Sequence, residues 1–270
     1  MRTPFADRLA ALVEERRSQV CLGLDPDPGP ATGVTEWCLG LIESAGASCV
    51  AVKPQLACFE RLGPPGWEAL AQTVAAAQRA GLLVIADGKR GDVPHTASVY
   101  AENLVGTAGE SGLGADAATV NPLMGGDVLD AFLEVAEPAG AGLFVLVRTS
   151  NAGAADLLDL DAGGAPLFER IAALVAAREE RLAGEGGVSG MGAVAGATEP
   201  RHLARLRELM PHAIFLIPGV GAQGGQASDL APALGSHPAS ILVAASRSIA
   251  GAPNPGQAAE ELRAELWGLN

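Results

Sequence analysis

Short, almost uninterrupted apolar runs alternate along the chain with longer Ala-, Leu-, Glu- and Arg-rich segments whose apolar positions recur at helical spacing. The runs predict eight strands, near Val20–Asp25, Ser48–Lys53, Leu82–Lys89, Ala117–Pro122, Gly142–Ser150, Gly192–Thr198, Ala213–Val220 and Ser240–Arg247. Between them the period predicts helices over Thr35–Ala45, Gly66–Ala80, Val93–Gly106, Val128–Glu137, Pro166–Leu182, Glu199–Leu209 and Gly225–Leu234. A further helix, Pro4–Arg17, opens the chain and another, Gln257–Trp267, closes it. Strands that are apolar throughout, rather than alternating, suit a parallel sheet covered on its outer face. Eight strand–helix units predict an α/β fold, a (β/α)8 TIM barrel in a single domain over residues 1–270. The competing open, doubly wound sheet usually carries a glycine-rich fingerprint after its first strand, and Gly23-Leu-Asp25-Pro is not one. The longest connection, about residues 151–190, reads as an elaborated strand–helix unit and not a second domain.

Composition narrows the function classes. Hydrophobic residues make up 49% of the 270 and charged residues 18%, so the chain can bury a sizeable core. The net charge of −13 argues against nucleic acid or an anionic membrane surface as partner. No apolar run approaches the ~20 residues of a membrane span, and the N-terminus lacks a signal-peptide core, so a cytoplasmic protein is expected. Cys21, Cys38, Cys49 and Cys58 form no C-x-x-C pair and read as free, buried thiols.

In a barrel the functional site lies at the C-terminal ends of the strands, and here those ends are polar. The first ends at Asp25, the second at Lys53, the third at Asp87 and Lys89, the fifth at Thr149-Ser150-Asn151. Asp87 and Lys89 are two apart, so on a regular strand both point to one side. A structural salt bridge is the simple alternative. With Lys53 on the neighbouring strand and Asp92 just beyond, two acids and two bases make a paired network, and buried charges persist only when so paired. The second feature is Pro218-Gly219-Val-Gly221-Ala-Gln223-Gly-Gly225, followed by Ser246-Arg247. Loops after strands seven and eight are the usual phosphate site of such barrels. Glycines let backbone N–H groups approach an anion, and an arginine clamps it. A glycine-rich turn with Arg247 facing solvent is the alternative. Since the protein as a whole is acidic, an anion would have to be held by local cations: Arg247, Lys53 and Lys89.

Asp87-Gly-Lys89-Arg-Gly-Asp92-Val-Pro-His-Thr96 resembles the D-x-K-x-x-D-[IV]-P-x-T signature of the orotidine 5'-phosphate decarboxylase family. Gly23-Leu-Asp25, Val52-Lys53-Pro, Thr149-Ser150 and the 218–225 segment match further landmarks of that family in order, from about residue 20 to 250. Lys53-Pro-Gln-Leu-Ala-Cys-Phe-Glu60 and the 151–190 insertion resemble its longer bacterial subtype, type 2. Ser246 departs from the glycine that many relatives place before the arginine.

The resemblance implies conversion of orotidine 5'-monophosphate to UMP and carbon dioxide, the last step of de novo UMP synthesis, with no cofactor and no metal. It implies Lys89 as proton donor to C6 of the pyrimidine, flanked by Asp87 and Asp92, with Lys53 at the ribose. Asp25 would bind a ribose hydroxyl and Ser150 the pyrimidine edge; Gln223 would bridge pyrimidine and phosphate, and Arg247 would hold the phosphate, with Pro218, Gly219, Gly221 and Ser246 around it. It further implies a homodimer in which Asp92 and Thr96 complete the neighbour's site. Two rivals stay open: a metal-dependent sugar-phosphate decarboxylase on the same barrel, and a catalytically silent binding barrel.

Overall fold

The computed structural model describes residues 2–27, 29–106, 112–197, 200–220 and 225–269. Eight parallel strands follow one another around a closed barrel in chain order. They are β1 (Val20–Leu24), β2 (Ala51–Pro54), β3 (Leu83–Arg90), β4 (Ala117–Val120), β5 (Gly142–Arg148), β6 (Ser189–Ala195), β7 (Ala213–Pro218) and β8 (Ile241–Ala245). The expected (β/α)8 architecture is therefore the observed one. All four cysteines are free; Cys58 is only half-buried, and burial pushes the Cys21 thiol up to about 12.

The strands are apolar over most of their length because both of their faces are covered, and β2, β3 and β5 turn polar towards their C-terminal ends. Residues such as Val52, Val84, Ala86 and Val145 face outward into a core shared with the surrounding helices. Cys21, Ala51, Leu83, Ile85, Ala117, Phe144, Ile214 and Leu242 face inward and meet the helix Phe5–Arg16, which caps the base. Phe5 of that helix stands edge-on to Phe144 with ring centroids 5.8 Å apart. Burying side chains of this size stabilises the fold by about 1.5–3 kcal/mol each. Charge holds the cap down: Asp116 accepts the Val84 N–H at 2.8 Å and is paired with Arg2 and Arg8. With the base covered, the chambers at the other end of the barrel lie at the C-terminal ends of the strands.

Some elements differ from expectation in extent. β6 begins at Ser189, not Gly192, because its glycines lie inside the strand: a Cβ on Gly192 would sit 2.4 Å from the Ile214 carbonyl and 2.8 Å from the Phe144 ring. The glycine leaves room for Phe144 in the barrel interior. The expected helix Gly225–Leu234 is a 3-10 helix, Ala227–Ala233, with Pro232 inside it and a capping box between Gln226 and Asp229. The expected helix Pro166–Leu182 breaks into Leu167–Ala176 and a 3-10 turn, Glu179–Leu182. Thr198 and Glu199, expected at the end of the sixth strand and the start of the next helix, lie outside the described residues.

Candidate active site

Strand alternation carries the interior from apolar to charged within one step. Ala51 and Ile85 belong to the inward cluster, so the next inward positions are Lys53 on β2 and Asp87 on β3. Likewise Thr119 stands one inward step above Ala117 on β4. Asp87 is only 3% exposed and four donors converge on it. Lys53 Nζ lies 2.5 Å from Oδ2 and Lys89 Nζ 2.6 Å from Oδ1. Gln55 Nε2 donates to Oδ2 at 3.2 Å and the Thr119 hydroxyl to Oδ1 at 2.9 Å. Burial by itself would raise the Asp87 carboxyl, but the ammonium groups of Lys53 and Lys89 outweigh it and hold the group at about 2. Burial likewise disfavours the Lys53 ammonium, yet Asp87 and Asp25 more than compensate, so its pKa is raised.

The reason that Lys89 shares a side with Asp87 is not regular alternation. The β3–β4 register shifts between Ala86 and Arg90, and Lys89 has φ 48°, in the left-handed region rarely occupied by residues other than glycine. Its N–H donates to the Thr119 hydroxyl at 2.9 Å. The bulge turns the lysine back over the carboxylate two residues before it.

Two adjoining chambers open at the mouth, and Lys53, Pro218 and Ala244 line both. The larger, about 430 Å³, has Lys89, Asp87 and Thr119 on one wall, Ser150 on another, and Leu146, Val194 and Leu216 as an apolar floor. The smaller, about 180 Å³, is lined by Asp25, Gly219, Ser246 and Arg247. Arg247 opens a four-residue helix, Arg247–Ala250, and forms no ion pair with a described residue. Gly23 lets this corner close, since a Cβ there would come within 2.7 Å of the Ser246 Cβ. One chamber thus suits a flat ring between apolar side chains and charged donors, and the other an anion.

Of the expected site residues, the chain brings together Asp25, Lys53, Asp87, Lys89, Ser150, Pro218, Gly219, Ser246 and Arg247. Asp92 and Thr96 line neither chamber: Asp92 Oδ1 accepts the Val93 N–H at 2.7 Å, and Thr96 sits in the first turn of the helix Pro94–Val105. Within one chain the network is one acid between two bases, not two acids and two bases. Gly221 and Gln223 lie outside the described residues. Sequence reasoning assigned no role to Gln55, Thr119 or Arg148. Arg148, 8% exposed, grips both Asp159 oxygens at 2.7 and 3.0 Å and the Thr149 carbonyl at 2.7 Å. It thereby ties the start of the long connection to the strand end that carries Ser150. The only signal for these three was a polar side chain at an inward strand position or strand end.

A closed (β/α)8 barrel with a buried ammonium–carboxylate chain beside an arginine-bearing anion chamber defines a class: a barrel enzyme whose mouth takes a small anionic ligand. The particular family follows from comparison. The chain belongs to the orotidine 5'-phosphate decarboxylase / HUMPS family, which it matches over residues 18–262. It is 40% identical over 264 residues to the orotidine 5'-phosphate decarboxylase of Rhodopirellula baltica, covering 91% of this chain and 87% of that one. Identity to the Deinococcus radiodurans enzyme of the same name is 41% over 253 residues, 92% of this chain and 90% of that one. Among solved structures, Leishmania donovani OMP decarboxylase superposes with a TM-score of 0.84 at 36% identity, covering 99% of this chain and 98% of that one.

Proposed function

We propose that this chain is a carboxy-lyase that converts orotidine 5'-monophosphate to UMP and carbon dioxide, with Lys89 as the proton donor. The observation that carries the reading is the Lys53–Asp87–Lys89 chain on the wall of the larger chamber, with Arg247 across the smaller one. The pyrimidine lies on the apolar floor with its edge at Ser150, the ribose meets Asp25 and Lys53, and the phosphate meets Arg247 and the 218–219 turn. Gln223 would reach from pyrimidine to phosphate.

Cleavage of the bond from C6 to the carboxylate leaves an electron pair in an sp2 orbital that the ring cannot delocalise. The Lys89 ammonium stabilises that pair electrostatically and then donates a proton to it, and solvent reprotonates the partly exposed amine. Asp87 keeps the Lys53 ammonium charged where burial would otherwise disfavour it, and holds the Lys89 ammonium in place at 2.6 Å. Binding at Arg247, remote from C6, contributes energy for alignment and so supports turnover as well as affinity.

Asp92 and Thr96 are proposed to serve the neighbouring site of a homodimer. In support, they lie outside their own chain's chambers. The segments that carry or adjoin them also expose apolar side chains: Val93 (49%), Val99 (55%), Leu123 (73%) and Met124 (52%). Four free cysteines suit a reducing compartment, the cytoplasm. No helix among the described residues is long and apolar enough to cross a membrane.

The metal-dependent rival would want an acidic ligand at the end of β2. That place holds the Lys53 ammonium, which repels a divalent cation. Orotidylate consumption by the purified chain, followed with and without excess EDTA, tests the reading. Equal turnover in both is expected. Loss of turnover with EDTA, restored by magnesium, would contradict the cofactor-independent mechanism, and no turnover in either would leave the sugar-phosphate rival or a silent barrel.

A further inference from the structure

We infer that Thr119 is a positioning residue for the reaction, its one hydroxyl tying both the backbone of Lys89 and the carboxylate of Asp87 into a single closed ring of hydrogen bonds. The inference rests on Lys89 being the proton donor.

The ring follows from donor counting. At the β3 bulge the Lys89 N–H points to Thr119 Oγ1 at 2.9 Å. The hydroxyl has one proton left to give, and it goes to Asp87 Oδ1 at 2.9 Å. An ionised carboxylate only accepts, so the direction is fixed: Lys89 N–H to Thr119 O–H to Asp87. The same Oδ1 then accepts the Lys89 ammonium at 2.6 Å. Both ends of one lysine, its amide and its Nζ, are thus bound to one carboxylate oxygen, the amide through the threonine.

A flexible side chain needs such bracing here. The Lys89 side chain is 42% exposed and carries four rotatable carbons, while its backbone holds φ 48°. Conformations of this kind persist only where the surroundings over-determine them. Thr119 itself is 1% exposed, so water does not readily replace its hydroxyl, and its β-branch limits rotation about χ1. Lys53 and Gln55 hold the other oxygen of Asp87, so a turn of the carboxylate away from Thr119 would strain those bonds as well. Without the hydroxyl, the lysine keeps its charge partner but loses the constraint that aims it. Misplacement of a reacting group by about 1 Å costs on the order of a hundredfold in rate, and substrate contacts at Arg247, Asp25 and Ser150 are untouched. The effect therefore falls on kcat and not on KM.

The test compares wild type, Thr119→Val, Thr119→Ser and Lys89→Ala as purified full chains, by steady-state orotidylate turnover and by urea unfolding. Thr119→Ala carries the same comparison if the valine variant does not fold. Expected are a kcat at least about tenfold lower in Thr119→Val with KM within about threefold, and a Thr119→Ser kcat within about threefold of wild type. A folded Thr119→Val with kcat within twofold of wild type overturns the inference, as does a serine variant that falls as far as the valine one. Lys89→Ala separates the two layers. If it is inactive while Thr119→Val is normal, only the role of Thr119 fails; if it turns over normally, the proton-donor reading fails and takes this inference with it.

Discussion

At Asp87 a single carboxylate meets two ammonium groups, an amide and a hydroxyl, nearly out of reach of water. Removing one member of such a set leaves buried charge uncompensated, which is why its cost exceeds that of a surface pair. The depressed Asp87 pKa makes this a statement about pH. A carboxyl that ionises at about 2 when folded, against 3.8 for the ordinary group, adds stability at every pH above the ordinary value. That stability is lost as pH falls through the folded value, and a pKa lowered this far corresponds to about 2–3 kcal/mol. The raised Lys53 acts in the opposite sense, its contribution complete below its ordinary 10.5 and lost only as pH rises through the higher folded value. The difference in unfolding free energy between wild type and Asp87→Asn should therefore shrink by about 2–3 kcal/mol as pH falls from about 4 to 2. A difference that stays constant over that acid range would show that Asp87 is not held by its two lysines. At this scale the charged members of the site, Lys53, Asp87, Lys89 and Arg247, were legible because they interrupt apolar strands at their ends. Thr119 and Gln55 were not. A neutral polar residue in a strand carries no charge signal, and the bulge that aims Lys89 depends on contacts with another strand.

The elements show why the mouth lies where it does. The strand–helix alternation was readable from periodicity, and all eight strands appear in the expected order. Their edges were harder to place. Gly190 and Gly192 look like turn residues in sequence, but both lie inside β6, and at Gly192 the neighbouring Phe144 ring needs the space that a Cβ would occupy. Short pieces such as Leu56–Glu60, Ala155–Leu158 and Arg247–Ala250 are too brief to show a period. The tight fit at Gly192 can be checked on its own. Gly192→Ala should destabilise the fold by about 1–3 kcal/mol, the usual cost of overpacking, seen as a lower thermal midpoint. A neutral substitution would mean that the Phe144 layer is looser than described.

At the scale of the whole molecule, the helix Phe5–Arg16 covers the barrel base, and Lys53, Lys89 and Arg247, the cations expected to bind substrate, all line the chambers at the opposite end. An acidic protein of net charge −13 can hold an anion there because charges more than about 8–10 Å away are screened at cellular salt. Among the described residues Lys89 is paired with one carboxylate, Asp87, while Asp92 Oδ1 accepts the N–H of the next residue, Val93. If a second carboxylate comes from a partner's Asp92, mixing inactive Lys89→Ala and Asp92→Ala chains should restore part of the activity, because a hybrid dimer contains one site with both residues intact. Hybrids that form, as shown by differential tagging, yet remain inactive would mean that sites are not shared.

The central claim is that Lys89 delivers the proton, and its most direct measurement is orotidylate turnover by Lys89→Ala set beside wild type, with far-UV circular dichroism recorded on both. A folded variant whose kcat falls by roughly a thousandfold or more is the predicted result. A folded variant with near-wild-type turnover would contradict the account.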